Sequence, residues 1–255
     1  MRNTWAIMKK ELKIYFSSPT AYIVISLFLL LAGFMYYVII SNFSLLSLRA
    51  GNNPYFSSHL SLNQSVYIPF FSNAAVVLLL LLPILTMRLF AEEKRQRTEE
   101  LLFTLPLTNT QIILGKYLAA VTVLLLMIVA TTPYVFYPFT IAKPELAPVL
   151  TGYLGLFLLG SSFISFGLFA SSLTENQIVA AVFSFAILLL LWLIYWLTYV
   201  TSFMGDFLKF ISFFGHFDNL TKGVIDTADI AYYISFTLVG LFLTYAVLEV
   251  KRWWR

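Results

Sequence analysis

The ionisable side chains of this chain are few and unevenly spread, and their spacing limits the chemistry open to it. Residues 88–116 hold nine of the 28 charged residues: Arg88, Glu92, Glu93, Lys94, Arg95, Arg97, Glu99, Glu100 and Lys116. The acids and bases of this run fall three and four residues apart, so helical ion pairs can form, Glu93 with Arg97 among them. Thr98 is placed to cap a further turn opening with Glu99 and Glu100, acids that suit a helix N-terminus. Leu101, Leu102 and Phe103 follow as an apolar knob. A charge run beside such a knob suits the docking of a soluble partner.

Bond-breaking chemistry lacks its residues. The chain has no cysteine, which excludes disulfides and thiolate metal sites. Its histidines, His59 and His216, fall in linkers and form no His-Glu-x-x-His pair, so neither a zinc site nor a buried histidine relay is expected. Gly115-Lys116-Tyr117 is the nearest approach to a phosphate-binding Gly-x-x-x-x-Gly-Lys-Ser/Thr loop, and it fails. No acid or base lies near the middle of an apolar stretch, where a charge costs about 2.5–3.5 kcal/mol on insertion scales. That weighs against ion-coupled transport and intramembrane catalysis. The basic residues form no stripe interleaved with aromatics, so nucleic acid is not an expected partner.

The elements that must position the charged run are membrane helices. The chain is 60% hydrophobic and 11% charged, against roughly 25% charged in soluble domains. About 20 apolar residues cross a bilayer core as a helix, and the charge-free windows hold six such stretches, near 20–41, 67–89, 113–138, 148–171, 177–201 and 230–249. With both termini inside, twelve of sixteen basic residues lie on the cytoplasmic side; only Arg49, Lys143, Lys209 and Lys222 lie outside. The first stretch is long enough to remain as a helix, and no cleavable signal peptide is expected. Trp253 and Trp254 then sit at the inner interface.

Local signals fit this layout. Ser18-Pro19 reads as a cap with proline in the first turn of the first span. Thr108 to Gln111 and Thr174 to Gln177 read as capping boxes. Small residues at four-residue spacing in the fourth span, Ser161 with Ser165 and Gly167 with Ser171, permit close bundle packing.

Residues 1–19 precede the first span as an amphipathic helix, with Trp5, Met8, Leu12 and Tyr15 at helical steps and Lys9, Lys10, Glu11 and Lys13 among them. The pattern suits a helix lying in the membrane interface. The link 202–229 is too apolar for a surface loop. Phe207, Phe210, Ile211, Phe214 and Phe217 predict a short interfacial or re-entrant helix before the last span. The fold expected is thus an all-α integral membrane protein in one domain, with residues 88–112 as its cytoplasmic loop.

Several of these segments resemble a known family. Pro83 to Arg88, Ala91 to Arg95, Thr98 to Leu102, Leu105-Pro106-Leu107 and Leu114 to Tyr117 are similar to the permease subunit of type-2 ABC transporters. Lys10-Glu11-Leu12 with Tyr15 to Pro19 resembles its N-terminal connecting helix, and Phe214 to Phe217 with Gly223 to Asp226 and Asp229 its outer segment. The overall pattern looks most like permeases associated with bacterial gliding motility. The resemblance implies a half-transporter of the bacterial inner membrane, without ATPase activity of its own. Two permease subunits pair, as homodimer or heterodimer, and two ATPase subunits carrying ATP and Mg dock beneath. A membrane subunit with a large extracytoplasmic domain belongs to the gliding-type assembly. Carried over by position, ATPase coupling falls on Glu92, Glu93, Arg95, Arg97, Thr98, Glu99 and Leu102. A smaller contact falls on Thr174, Glu175 and Asn176, and the segment Phe207 to Phe217 caps the translocation path.

Trp192, Tyr195 and Trp196 on the fifth span would suit a cavity for an amphipathic or lipid-linked substrate, or serve simply as packing. Two other classes stand against the transporter: a membrane scaffold that recruits a partner through residues 88–104 and moves nothing, and a membrane enzyme working through serines and asparagines.

Overall fold

A computed structural model describes residues 2–50, 61–98, 107–140, 144–197 and 211–253. Among them every regular element is helical. Helix α1 (Arg2–Ser17) is followed by α2 (Pro19–Ala50). A single π-turn (Asn63–Tyr67) leads into α3 (Ile68–Thr86), and α4 (Arg88–Arg95) continues it beyond a break at Met87. Then come α5 (Asn109–Ala130) and α6 (Thr132–Phe136), followed by α7 (Leu146–Leu173), α8 (Gln177–Leu197), α9 (Phe213–Thr221) and α10 (Thr227–Trp253).

Six stretches are helical, long and apolar enough to cross a membrane, in the order expected: Pro19–Arg49, Asn63–Arg95, Asn109–Phe139, Leu146–Leu173, Gln177–Tyr195 and Thr227–Val250. The second runs past residue 89 to Arg95 because α4 extends it. Pro19 opens α2 as its first residue, but the Ser18 hydroxyl donates to Tyr15 O and accepts from Arg88. The capping box at Thr108 is complete, with Thr108 Oγ1 accepting from Gln111 N at 3.3 Å.

The second expected box is not formed. Thr174 is extended, and its hydroxyl accepts from Asn176 N at 3.1 Å. Asn176 caps α8 instead, its Oδ1 accepting from Ile178 N at 2.9 Å. The helix starts two residues later than a Thr174 cap requires, because Thr174 still belongs to the turn leaving α7.

The bundle is built around α7, which packs against α3, α5, α8, α9 and α10. Its small residues are what let the neighbours in. A Cβ added at Gly167 would stand 2.0 Å from Thr86 Oγ1 of α3, and one at Gly160 would meet Leu124 of α5 at 2.7 Å. The serines satisfy backbone across the contacts: Ser162 Oγ donates to Tyr233 O at 3.1 Å. The small-residue spacing thus serves packing within the chain. Burial grades outward from this helix: 78% of the most apolar window of α7 is buried, but only 22% in α2 and α8 and 17% in α10. Phe34, Val182 and Phe242 stand exposed on those outer helices.

Candidate functional site

The charged run is placed by an interrupted helix. Pro83 lies inside α3 and brings no backbone N–H to the ladder. One turn on, Thr86 Oγ1 donates back to Leu82 O at 2.9 Å, a bond that tends to bend helices. The break at Met87 follows, and α4 carries Glu92, Glu93, Lys94 and Arg95 away from the span. The C-terminus of α4 is closed by a Schellman arrangement: Thr98 N donates to Glu93 O at 2.9 Å and Arg97 N to Lys94 O at 3.0 Å. Arg97 takes the left-handed position with φ 57°, where glycine is usual. Thr98 therefore finishes α4, its hydroxyl also on Glu93 O at 3.3 Å.

Glu93 does not pair with Arg97. Its Oε2 lies 2.9 Å from Lys116 Nζ and its Oε1 3.0 Å from Lys10 Nζ. Lys116 Nζ also meets Glu11 Oε1 at 2.9 Å and donates to Leu89 O at 2.6 Å. Two lysines and two glutamates from α1, α4 and α5 thus form one neutral cluster. Side-chain exposure is 1% for Lys116, 7% for Glu11 and 14% for Glu93, so these charges have left water and depend on one another. Burial would lower the Lys10 ammonium, but Glu93 and then Glu11 carry it above its usual range.

Further bonds tie α1 to α3 and α4 to the start of α2. Tyr15 Oη donates to Leu85 O at 2.9 Å, a carbonyl beside the break. Burial first, then the Glu11 charge, pushes the Tyr15 phenol up, which keeps it a donor. Arg88 donates to Ser18 Oγ at 2.9 Å and Thr20 Oγ1 at 2.6 Å, covers the Tyr15 ring at 5.4 Å, and pairs with Glu92 at 3.4 Å. The buried side of α1 is therefore Ile7, Glu11 and Tyr15. Met8 and Leu12 pack at its edge, while Trp5 is exposed under Lys9. The face that meets the bundle is rotated from the aromatic and aliphatic stripe because Glu11 must reach Lys116.

A cleft of about 350 Å³ opens over the cluster, lined by Lys10, Arg88, Glu92, Glu93, Gln96 and Thr98 among others. A second, of about 480 Å³, lies between Arg95 and the α7–α8 turn, with Glu175, Asn176, Gln177 and Ile178 on its wall. Lys94 is buried and donates to Ser172 O of α7. Of the expected coupling residues, Glu92, Glu93 and Thr98 line the first cleft, and Arg95 shares the second with Glu175 and Asn176 of the α7–α8 turn. Glu99 and Leu102 lie outside the described residues.

At the far end of the bundle, α9 begins under a Ser212 cap and packs on α7, α8 and α10. Phe217 is fully buried in the core and Phe214 packs at its edge; Phe207 and Phe210 lie outside the described residues. Trp192 meets Phe214 edge-on at 5.1 Å and Tyr195 meets it tilted at 4.8 Å, so both pack against α9. His216 overturns one expectation. It is buried, its Nδ1 lies 2.6 Å from Asp229 Oδ1, and its ring stacks on Tyr232. The segment read as a linker is folded in because its phenylalanines bury it, and His216 is carried inward with them. Asn219 donates to the other Asp229 oxygen at 3.3 Å, which makes Asp229 the tie between α9 and α10.

The profile of the ABC-2 family transporter proteins matches residues 5–250, from α1 to the last turns of α10. The chain belongs to the ABC-2 family. It is a membrane permease component of an ABC-2 type transporter, a kind of subunit that pairs with ATPase subunits and has no ATPase activity itself. No curated protein matched the chain.

In this ABC-2 permease the residues that organise the charged end include several that sequence reasoning passed over. Lys116 had been set beside a failed phosphate-binding loop, yet Gly115-Lys116 has its own logic. A Cβ at Gly115 would stand 2.6 Å from Ile7 Cγ2, so glycine lets α1 lie close enough for Glu11 to reach Lys116. Spacing offered one clue: a lysine eight residues into an apolar span requires a carboxylate partner. Which carboxylate could not be read locally, since Glu11 is 105 residues away.

Proposed function

We propose that this permease is one half of an ATP-driven, exporter-like transporter in which α1 and α4 receive the motion of a separate ATPase and pass it to the spans. The observation that carries this reading is the Lys10–Glu11–Glu93–Lys116 cluster, which leaves water at all but Lys10. It joins the N-terminal helix, the extension of the second span and the start of the third, so a push on any one moves all three. Packed elements of this kind exchange between discrete arrangements rather than deform smoothly.

The two clefts beside α4 leave Arg95, Gln96 and Arg97 exposed for a partner. In this reading the charged end is cytoplasmic, as the basic-residue bias favours, and α1 rests in the inner interface of the cytoplasmic membrane with Trp5 toward lipid. Two permease copies pair, two ATPases dock beneath, and ATP and Mg are held by the ATPases. The coupling surface comprises Glu92, Glu93, Arg95, Arg97, Thr98, Glu99 and Leu102, with Thr174, Glu175 and Asn176 as its smaller part. The segment from Phe207 through Phe217 closes the outer side. The gliding-motility permeases are the subgroup proposed, with a membrane subunit bearing a large extracytoplasmic domain as a further partner.

Partner binding tests the reading. Leu102→Asp places a charge in an interface knob, where truncations cost about 2 kcal/mol or more. That corresponds to roughly a thirtyfold loss of affinity for the cognate ATPase, at ordinary membrane abundance. Arg95→Glu should weaken binding in a salt-dependent way. Wild-type pull-down and ATP turnover in both variants would reduce the charged end to a solvated surface.

A further inference from the structure

The break between α3 and α4 has a cap supplied by another helix. The first amides of a helix have no acceptor within it, and a serine preceding the helix commonly accepts one. Here Met87 occupies that position, and no side chain of its own segment caps α4. Ser171, near the end of α7, does so across the bundle. Its Oγ accepts from Phe90 N at 3.0 Å and Ala91 N at 3.1 Å, and donates to Met87 O at 2.7 Å. Ser171 is fully buried, so these amides have no water to turn to.

The joint is nearly continuous without that serine. Met87 has φ −53° and ψ −32°, inside the helical region, and Met87 N already donates to Pro83 O at 2.9 Å. Closing α3 and α4 into one helix therefore needs small dihedral changes. The acceptor Phe90 would then take is the carbonyl of Thr86, four residues back; Ala91, the fourth residue of α4, already has Met87 O at that spacing. The Ser171 hydroxyl thus stands where Thr86 O would stand for Phe90 N in an unbroken helix. The carbonyl freed on the other side of the break, Leu85 O, is held by Tyr15 of α1, so both neighbours of the joint hold it open.

We propose that Ser171 is a positioning residue that acts as a releasable cap, and that the second span works as a two-state joint: capped and broken at Met87, or uncapped and straight. This rests on the reading that α4 receives the ATPase stroke. Straightening would swing Glu92–Arg95 relative to α7 while leaving the span above Pro83 in place.

The test uses the full chain in lipid nanodiscs. It has no cysteine, so pairs can be introduced without background. Nitroxide labels at Gln96, beyond α4, and Leu150, exposed at the other end of α7, report the angle of the joint. Wild type should give one distance. Ser171→Ala should add a second population at unchanged monodispersity, and Ser171→Thr, which keeps the hydroxyl, should restore the first. Tyr15→Phe, which frees Leu85 O for Leu89 N four residues on, should shift the distribution the same way as Ser171→Ala, and it carries the test should that variant fail to fold. A single unshifted distance in Ser171→Ala, or in Tyr15→Phe where the serine variant does not fold, overturns the two-state joint.

With the ATPase bound, Mg-ATP and vanadate should populate the second distance in wild type. A clear response to Ser171→Ala with none to nucleotide would leave the cap standing and overturn α4 as the receiving element.

Discussion

Lys116 is the side chain with most at stake. It holds its charge out of water against Glu11, Glu93 and the Leu89 carbonyl, so its loss leaves two carboxylates with Lys10 as their remaining cation. Breaking such a pair by removing one member costs roughly 3–5 kcal/mol. Glu93→Gln is milder, because Lys116 keeps Glu11 and the amide can still accept; about 1–3 kcal/mol is expected. Lys116→Met should therefore lower the melting temperature of the detergent-solubilised chain well below that of Glu93→Gln. Glu93→Lys should be the worst of the three, since it sets a third cation between Lys10 and Lys116. Were Glu93 paired at the surface with Arg97, its reversal would cost only about 0–1 kcal/mol. Thermal melts following monodispersity decide between these orders, and equal midpoints for all three would remove the cluster from the stability account.

At the scale of elements, α1 is held by close approach as much as by charge. The contact of Ile7 over Gly115 sets its height on α5, and the backbone of Thr4 lies only 3.1 Å from where a Gly115 side chain would begin. Gly115→Leu cannot be absorbed by one rotamer change, because part of what it meets is backbone. Overpacking of this kind costs about 1–3 kcal/mol. The expected result is faster hydrogen exchange throughout α1 with the six spans still protected. Ile7→Ala in the same chain should restore part of the protection by returning the lost space. Unchanged exchange in Gly115→Leu would mean that α1 is held by the ion cluster alone.

The whole molecule is asymmetric in burial: α7 is enclosed, while α2, α8 and α10 present apolar sides to their surroundings. Such area is stable against lipid or a second permease subunit and not against water. Orientation in the bilayer has a direct check. Single cysteines at Ser47, Lys143 and Lys222 should react with an impermeant thiol reagent added to intact cells, and one at Gln96 should not. Labelling at Gln96 from outside would invert the arrangement and take the ATPase-facing surface with it.

Length, composition and the spacing of charges were enough to place six apolar helices, because a membrane span is a local property of about twenty residues. The Thr108 box and the Pro19 start were legible for the same reason: a cap involves neighbours a few positions apart. What only the tertiary structure decided is partnership. Glu93 had Arg97 within reach along its helix, yet Lys116 won because burial makes a nearby unpaired lysine far more costly than an exposed arginine. His216 looked like a loop residue until the surrounding phenylalanines were seen to bury it against Asp229. Ser171 belonged to a small-residue stripe, and its hydroxyl found the open amides of α4 only because the Gly167–Thr86 contact brings α7 and α3 together. Each of these pairs residues far apart in the chain, and the distance between them is set by how the helices pack, which no local pattern encodes.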